Sequence, residues 1–137
     1  MKIPTLLSAA ALVFFMVTAG CAPSSQVTNK SGMLLKKVRV NTVGFTENLD
    51  HCGDGCSTGF KDVPAGKNMI FLQVAEGSEW MTLGELGPFE KKAHYSVTIT
   101  KTGDQFCAEL WKRLQTGTTF NDDATRIFIG KSCMPSK

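Results

Sequence analysis

Short apolar segments separated by turn residues run from residue 33 to the end of the chain and constrain its fold more than any other feature. The clearest lies in residues 94–100, where Tyr95, Val97 and Ile99 alternate with polar residues. Such alternation predicts a half-buried strand, because successive side chains point to opposite faces of a sheet. Further strand candidates are residues 38–43, 60–63, 69–75, 80–86 and 126–130. About seven short strands at this spacing predict a small antiparallel β-sandwich, with a flattened barrel as the alternative.

The segment at residues 69–75 is apolar on both faces, which predicts a central strand covered on both sides. Before it, Val63-Pro64-Ala65-Gly66 fits a type I turn, in which proline presets φ and glycine takes the last position. We therefore expect residues 60–63 to run back against residues 69–74.

Residues 104–116 allow two interpretations. Their apolar residues have helical spacing, with Asp104 and Gly117 as possible caps, so a single short helix is one alternative. However, Thr102-Gly103-Asp104 directly follows the clearest strand and fits a hairpin turn. We favour a strand over residues 105–113.

The N-terminal segment has the pattern of an export signal. Lys2 precedes an apolar run over residues 6–17, and small residues close it before Cys21. The run has about 12 residues, whereas a transmembrane helix needs about 20. We therefore expect a signal peptide over residues 1–20.

The residues Val17-Thr18-Ala19-Gly20-Cys21 resemble the lipobox of bacterial lipoproteins, although Thr18 stands where that family usually has leucine. The resemblance implies that Cys21 is lipidated, becomes the mature N-terminus and holds the protein to the bilayer through acyl chains such as palmitate. Ala22, where an aspartate would favour inner-membrane retention, implies a periplasm-facing protein of the cell outer membrane.

The mature chain from residue 21 to residue 137 has room for one domain. Residues 22–32 are mostly polar and have no hydrophobic period. We expect residues 21–32 to form a lipidated N-terminus and tether, with a reach of at most about 40 Å. Residues 33–137 then form a single β domain.

The remaining cysteines, Cys52, Cys56, Cys107 and Cys133, are even in number, and an oxidising compartment favours two disulfides. A hairpin turning through residues 115–123 would place Arg113 opposite Arg126 and Cys107 opposite Ser132. A small bulge would then bring Cys133 to Cys107 and leave Cys52 for Cys56. The other two pairings stay open, and a zinc site formed by His51, Cys52 and Cys56 is a less favoured alternative because the usual ligand spacing is absent.

The charges give no indication of a nucleic-acid partner, and we expect none. Residues 21–137 carry 14 basic and 12 acidic residues, a net charge of +2. The basic doublets Lys36-Lys37, Lys91-Lys92 and Lys112-Arg113 are isolated and indicate solvated faces rather than a phosphate-binding stripe.

No catalytic string is present, since G-x-S-x-G, H-E-x-x-H and the Walker loop are all missing. His94 is expected on the wetter face of its strand, beside Ser96 and Thr98. We predict no enzyme and no cofactor; an enzymatic alternative would need a pocket at His51 or His94.

The aromatic residues Trp80, Trp111, Phe89 and Tyr95 are interpreted as core, with a ligand-stacking platform as the alternative. Trp80 and Trp111 are the candidate ligand-binding residues. Trp80 is the better of the two because residues 77–79 place it beside a loop.

Residues 60–66, 69–74 and 95–99 resemble small β-sandwich modules of bacterial envelope proteins, including PEGA-like modules. Because such modules bind or space other proteins, the resemblance implies a non-enzymatic lipoprotein that binds an envelope protein or peptidoglycan. The alternative function is inhibition of a cell-wall hydrolase. The Ser-Gly-x-x-Tyr string associated with lysozyme inhibitors is absent, since Ser31-Gly32 is followed by Met33-Leu34-Leu35.

Overall fold

Ten strands form within residues 22–50, 55–114 and 126–135, the part of the chain that the computed structural model describes. In chain order they are β1 (Ser24–Lys30), β2 (Lys37–Val40), β3 (Val43–Phe45), β4 (Cys56–Ser57), β5 (Lys61–Asp62), β6 (Gly66–Gln73), β7 (Met81–Phe89), β8 (His94–Thr102), β9 (Gln105–Arg113) and β10 (Arg126–Cys133). Three of them, β3, β4 and β5, are only two or three residues long.

The strands form two sheets. The larger has the order β10-β9-β8-β1-β4, with β5 also pairing with β1, and the smaller has the order β3-β2-β6-β7. Neighbours are antiparallel except β1 and β8, which are parallel. The predicted all-β sandwich is confirmed. The helix alternative for residues 104–116 is wrong over its described part, which forms β9.

The core lies between the two sheets. Val27, Val97 and Leu110 enter it from the larger sheet, and Ile70 and Leu72 enter it from the smaller one, all with no exposed area. Strand β6 alternates between buried and exposed positions, and Met69 is 37% exposed. The predicted double cover of residues 69–75 is therefore wrong, because only the inward face of this strand packs against the other sheet.

The predicted tether over residues 21–32 is wrong for residues 24–30, which form strand β1. Residues 24–30 lie inside the larger sheet, where they pair with β8 on one side and with β4 and β5 on the other. Ser25, Val27 and Asn29 alternate along the strand and point into the core, each at most 2% exposed. Because two of these three inward residues are polar, the alternation was not recognised in the sequence. Asn29 is tolerated there because its amide donates to the carbonyl oxygens of Met33 and Leu49, both at 2.8 Å.

The segment around Pro64 crosses between the sheets. Strand β5 pairs with β1, with Lys61 opposite Ser25, while β6 pairs with β2 and β7. The expected pairing of residues 60–63 with residues 69–74 is therefore wrong. The Val63 amide donates to the Pro23 carbonyl at 2.9 Å on the larger sheet, and the Asn68 side chain donates to the Pro64 carbonyl at 2.9 Å. These two bonds hold a crossover, not a hairpin.

The hairpin of β9 and β10 has the predicted register. Arg113 lies opposite Arg126, and a bulge between Phe128 and Gly130 brings Cys133 opposite Cys107. The Cys107–Cys133 disulfide is present, with the two Cα atoms 4.0 Å apart. Cys56 is also disulfide-bonded, and its predicted partner, Cys52, lies outside the described residues.

At the edge of the sandwich, β10 lies against β7 of the other sheet. The Ser132 hydroxyl donates to the Leu83 carbonyl at 2.9 Å. Gly84 has a φ of +119°, and a Cβ added there would lie 1.8 Å from Ser132 Oγ. Only glycine fits this close approach.

Within the same described ranges, no helix is long and apolar enough to cross a membrane. The expected signal peptide over residues 1–20 and the lipidated Cys21 lie outside those ranges.

Candidate functional site

One end of the larger sheet carries a row of four polar residues, one from each of four adjacent strands. In the register of the sheet, Ser24 pairs with His94, His94 with Arg113, and Arg113 with Arg126. We call these four residues the end row. Because β1 and β8 are parallel, their first residues meet there, and the antiparallel β9 and β10 contribute their last and first residues.

A basic turn lies beyond the end row. Residues 90–93 link β7 to β8, and Lys92 takes a φ of +66° while the Ala93 amide donates to the Glu90 carbonyl at 3.2 Å. The buried Tyr95 hydroxyl accepts a hydrogen bond from the Glu90 amide at 2.7 Å. The turn is therefore fixed to the core, and Lys91 and Lys92 project from it as exposed residues.

A hollow of about 280 Å³, which we call the basic hollow, lies between this turn and residues 112–114. Lys112 and Glu90 both line it, and they form an ion pair at 3.2 Å. Leu114, 39% exposed, also lines it. Four of its eight lining residues are lysine or arginine and one is glutamate, so the described lining favours an anionic group.

Like charges are concentrated at this end of the sheet. Partial burial, and then the positive charge of Arg126, lower the pKa of the Arg113 guanidinium below its usual value. Two cations directly opposite each other across a strand pair destabilise a sheet.

His94 contacts Ser24 of β1 and Phe60, the residue before β5. Its Nδ1 atom forms a hydrogen bond with the Ser24 hydroxyl, and the Phe60 ring meets it edge-on at 6.0 Å. Among the described residues, no carboxylate forms a hydrogen bond or ion pair with His94. The contact between Ser24 and His94 joins the first residues of β1 and β8 within the end row.

The outward face of β8 is not wet, contrary to the prediction. Ser96 and Thr98 are only 3% and 2% exposed. The Ser96 hydroxyl bonds with Thr28 at 3.1 Å, and Thr28 bonds with Ser57 at 2.8 Å, so a ladder of hydroxyl groups crosses three strands.

Trp111 lies on the outward face of the larger sheet. It is two residues before Arg113 of the end row along β9. The Phe128 ring meets it edge-on at 5.1 Å, and the Arg126 guanidinium lies over it at 4.3 Å. The indole nitrogen donates to Glu109 at 3.1 Å. Phe128 is 46% exposed, and we call Trp111, Phe128 and Arg126 the aromatic patch.

Trp80 is far from this patch. It directly precedes β7 of the smaller sheet, and the Arg39 guanidinium lies over its ring at 4.3 Å. The structure therefore does not join Trp80 and Trp111 into one platform. The core interpretation is right for Phe89 and Tyr95, which are buried with ring centroids 4.9 Å apart, and wrong for both tryptophans, which are half-buried.

A second hollow, of about 390 Å³, lies at the opposite end of the sandwich. Leu34, 57% exposed, lines it together with Asp50 and Glu76, and Glu76 pairs with Lys36 at 3.0 Å. This end therefore lacks the cationic bias of the basic hollow.

No cluster of three potential metal ligands occurs in the ranges that the structure describes. Two residues of the alternative zinc site, His51 and Cys52, lie outside those ranges.

Sequence reasoning missed Phe128, Arg113 and Arg126 as site residues. A signal for the arginines was present, because the predicted hairpin register already placed them opposite each other. The doublets Lys91-Lys92 and Lys112-Arg113 were interpreted as separate solvated faces, whereas the fold brings them to the two walls of one hollow.

Comparison with known proteins adds no relative. A scan against protein-family models found no match, and searches of curated proteins and of solved structures found none either.

Proposed function

We propose that this chain is a non-enzymatic lipoprotein of the outer membrane, anchored through acylated Cys21, whose β-sandwich binds another envelope component through the aromatic patch. The lipobox resemblance at residues 17–21 supports the anchor and the periplasm-facing location. No described contact favours inhibition of a cell-wall hydrolase, so that role stays a prediction.

The observation that carries the binding role is the composition of the aromatic patch. Tryptophan and arginine are the residues most enriched among binding hot spots, and here they stack on each other beside the exposed Phe128. A protein partner would bury these side chains and gain from their removal from water.

The anchor is tested by fractionation. A Cys21→Ser variant should leave the membrane fraction and collect in the soluble periplasmic fraction. Mass spectrometry of the native N-terminus should show acyl chains on Cys21. A native Cys21 without acyl chains, in a protein that still fractionates with membranes, would contradict the lipoprotein assignment.

The binding role is tested by cross-linking pull-down from intact envelopes, with native protein and the soluble Cys21→Ser form as baits. Both forms should capture the same discrete protein, and Trp111→Ala or Phe128→Ala should reduce the yield at least tenfold. The matched control is Trp80→Ala, which removes a tryptophan with the same arginine stacking from the other sheet. An equal loss with Trp80→Ala, or no loss with either patch variant, would reject the patch as the binding surface.

A further inference from the structure

We propose that the partner of the aromatic patch binds by strand addition: an extended segment of that partner pairs with the free edge of β10 beside residues 127–129. This inference rests on the proposed binding function, and it names the form of the partner and a second face that the partner covers. It does not depend on the anchor at Cys21.

The first argument is that β10 is a long edge strand, whereas the other edges are short or partly closed. The larger sheet ends at the eight-residue β10 and, on its other side, at β4 and β5, which have two residues each. The smaller sheet ends at the three-residue β3 and at β7. On β7, the Leu83 carbonyl accepts from the Ser132 hydroxyl, and Pro88 has no N–H to donate.

The backbone of residues 127–129 has open positions on the side away from β9. Within the described ranges, these three residues form hydrogen bonds only in the hairpin with β9. Alternate residues of a strand direct their N–H and C=O groups to opposite edges, so this segment offers unpaired donors and acceptors. Peptide-binding domains use such an edge to pair with an extended segment.

The second argument is that both faces of the sheet are open beside this edge. Ile127 and Phe128 are consecutive, so their side chains point to opposite faces. Phe128 lies on the outward face, opposite Trp111. Ile127 lies opposite Lys112, and Lys112 lies opposite the buried Tyr95, which places Ile127 on the core-facing side. Ile127 is nevertheless 48% exposed, and Phe128 is 46% exposed.

The exposure of Ile127 determines which kind of partner fits. Strand β10 contacts β7 at Ser132, which is five residues beyond Ile127, and the smaller sheet leaves Ile127 uncovered. A partner that docked only on the outward face would cover Phe128 and leave Ile127 in water. A strand added beside β10 has side chains on both faces, so it would cover Ile127 with one set and Phe128 with the other.

The segment that fits this edge is short and apolar. A bulge between Phe128 and Gly130 interrupts regular pairing, and the exposed Lys131 follows it. Because bulges and charged residues limit pairing along an edge, we expect about four paired residues with apolar side chains on both faces. Lys131 forms no ion pair with a described residue, so an acidic residue at the end of the paired segment would be favoured.

The binding mode is tested with a synthetic peptide that has a central run of valine and isoleucine and a glutamate at each end. Its matched control has the same side chains but N-methyl groups on the central residues, which leave no N–H donor for pairing. The soluble Cys21→Ser, Trp80→Phe protein reports binding through Trp111, its remaining tryptophan. We expect a saturable change in emission with the unmodified peptide and at least about tenfold weaker binding of the methylated one. Equal binding of the two peptides would indicate side-chain docking and overturn strand addition.

A variant of the core-facing side tests the same mode from the protein. Ile127→Asn changes no charge, and the fold should tolerate it because Ile127 is half exposed. It should weaken binding of the unmodified peptide about tenfold, since the added strand loses its apolar contact. The matched control is Leu34→Asn, which makes the same kind of change at a side chain that is 57% exposed in the loop before β2, and it should alter binding less than about twofold. An equal loss in both variants would overturn the proposal.

Amide hydrogen exchange shows where the peptide pairs. Exchange in residues 126–131 of the native sequence should slow when the unmodified peptide is bound, because free edge amides gain acceptors. Unchanged exchange there at saturating peptide would reject pairing with β10. Self-association of the native protein that Ile127→Asn abolishes would assign the edge to a second copy of this chain and overturn the partner strand.

The envelope pull-down separates this proposal from the proposed function. We expect both Ile127→Asn and Phe128→Ala to lose the captured protein. Loss with Phe128→Ala alone would keep the aromatic patch as the binding surface and reject strand addition. Peptide pairing with β10, without any envelope protein whose capture depends on the patch, would reject the proposed binding function and support the edge alone.

Discussion

Replacing Asn29 by alanine tests whether residues 24–30 are an integral strand. The Asn29 side chain lies at the end of β1, 2% exposed, and joins three backbone segments. Its Nδ2 donates to the carbonyls of Met33 and Leu49 at 2.8 Å, and its Oδ1 accepts from the Ser31 amide at 3.0 Å. A polar tether could carry alanine at this position without cost.

The size of the expected stability loss depends on which hydrogen bonds the partners of Asn29 keep after the substitution. The Leu49 carbonyl still accepts from the Leu35 amide at 3.0 Å, and the Met33 carbonyl still accepts from the Ser31 hydroxyl at 3.2 Å. The Ser31 amide loses the acceptor that the structure assigns to it. A buried group left without a partner costs about 1 to 3 kcal/mol; the Ser31 amide is part-buried, so the lower end of that range applies, and the other lost bonds add about 1 kcal/mol. We expect Asn29→Ala to lower the free energy of unfolding by about 2 to 3 kcal/mol.

The assay is urea unfolding of the soluble Cys21→Ser protein with its disulfides intact, followed by far-UV circular dichroism. The midpoint should fall while the slope with denaturant stays constant, because the fold is unchanged. The control is Lys30→Ala in the neighbouring, exposed position of the same strand, which should shift the free energy by less than about 0.5 kcal/mol. An Asn29→Ala protein as stable as the Lys30→Ala protein would refute the placement of β1 in the sheet.

Three further changes test the rest of the sandwich by the same unfolding assay. Gly84→Ala should cost more than about 2 kcal/mol, since its Cβ would meet Ser132 Oγ at 1.8 Å and its φ is +119°; a Ser132→Gly change that recovers none of this loss would show that strain alone is responsible. Replacing Cys107 and Cys133 together by serine opens a loop that spans 26 residues and should cost about 3.5 kcal/mol, and a loss below about 1 kcal/mol would contradict a stabilising disulfide. Tyr95→Phe removes the acceptor of the Glu90 amide and should cost about 1 to 2 kcal/mol with faster amide exchange at Glu90, whereas unchanged exchange would mean that the turn does not depend on this bond.

The hairpins of β8, β9 and β10 could be predicted because the sequence signals that specify them lie within the strands and the turns that join them. Alternating residues identified β8, the turn at Gly103 led into β9, and the two cysteines fixed the bulge that β10 needs. The two-residue strand β5 and the crossover at Pro64 could not be predicted in this way. Their pairing depends on which sheet lies nearby and not on the turn residues.

Strand β1 could not be predicted from the sequence for a different reason. It pairs in parallel with a strand 70 residues away, as the Ser24 and His94 contact shows, and no turn signal connects the two. Its inward residues include a serine and an asparagine, which composition assigns to a tether although the fold supplies their hydrogen-bond partners. The end row depends on this pairing, so its charged residues were visible in the sequence while their common location was not.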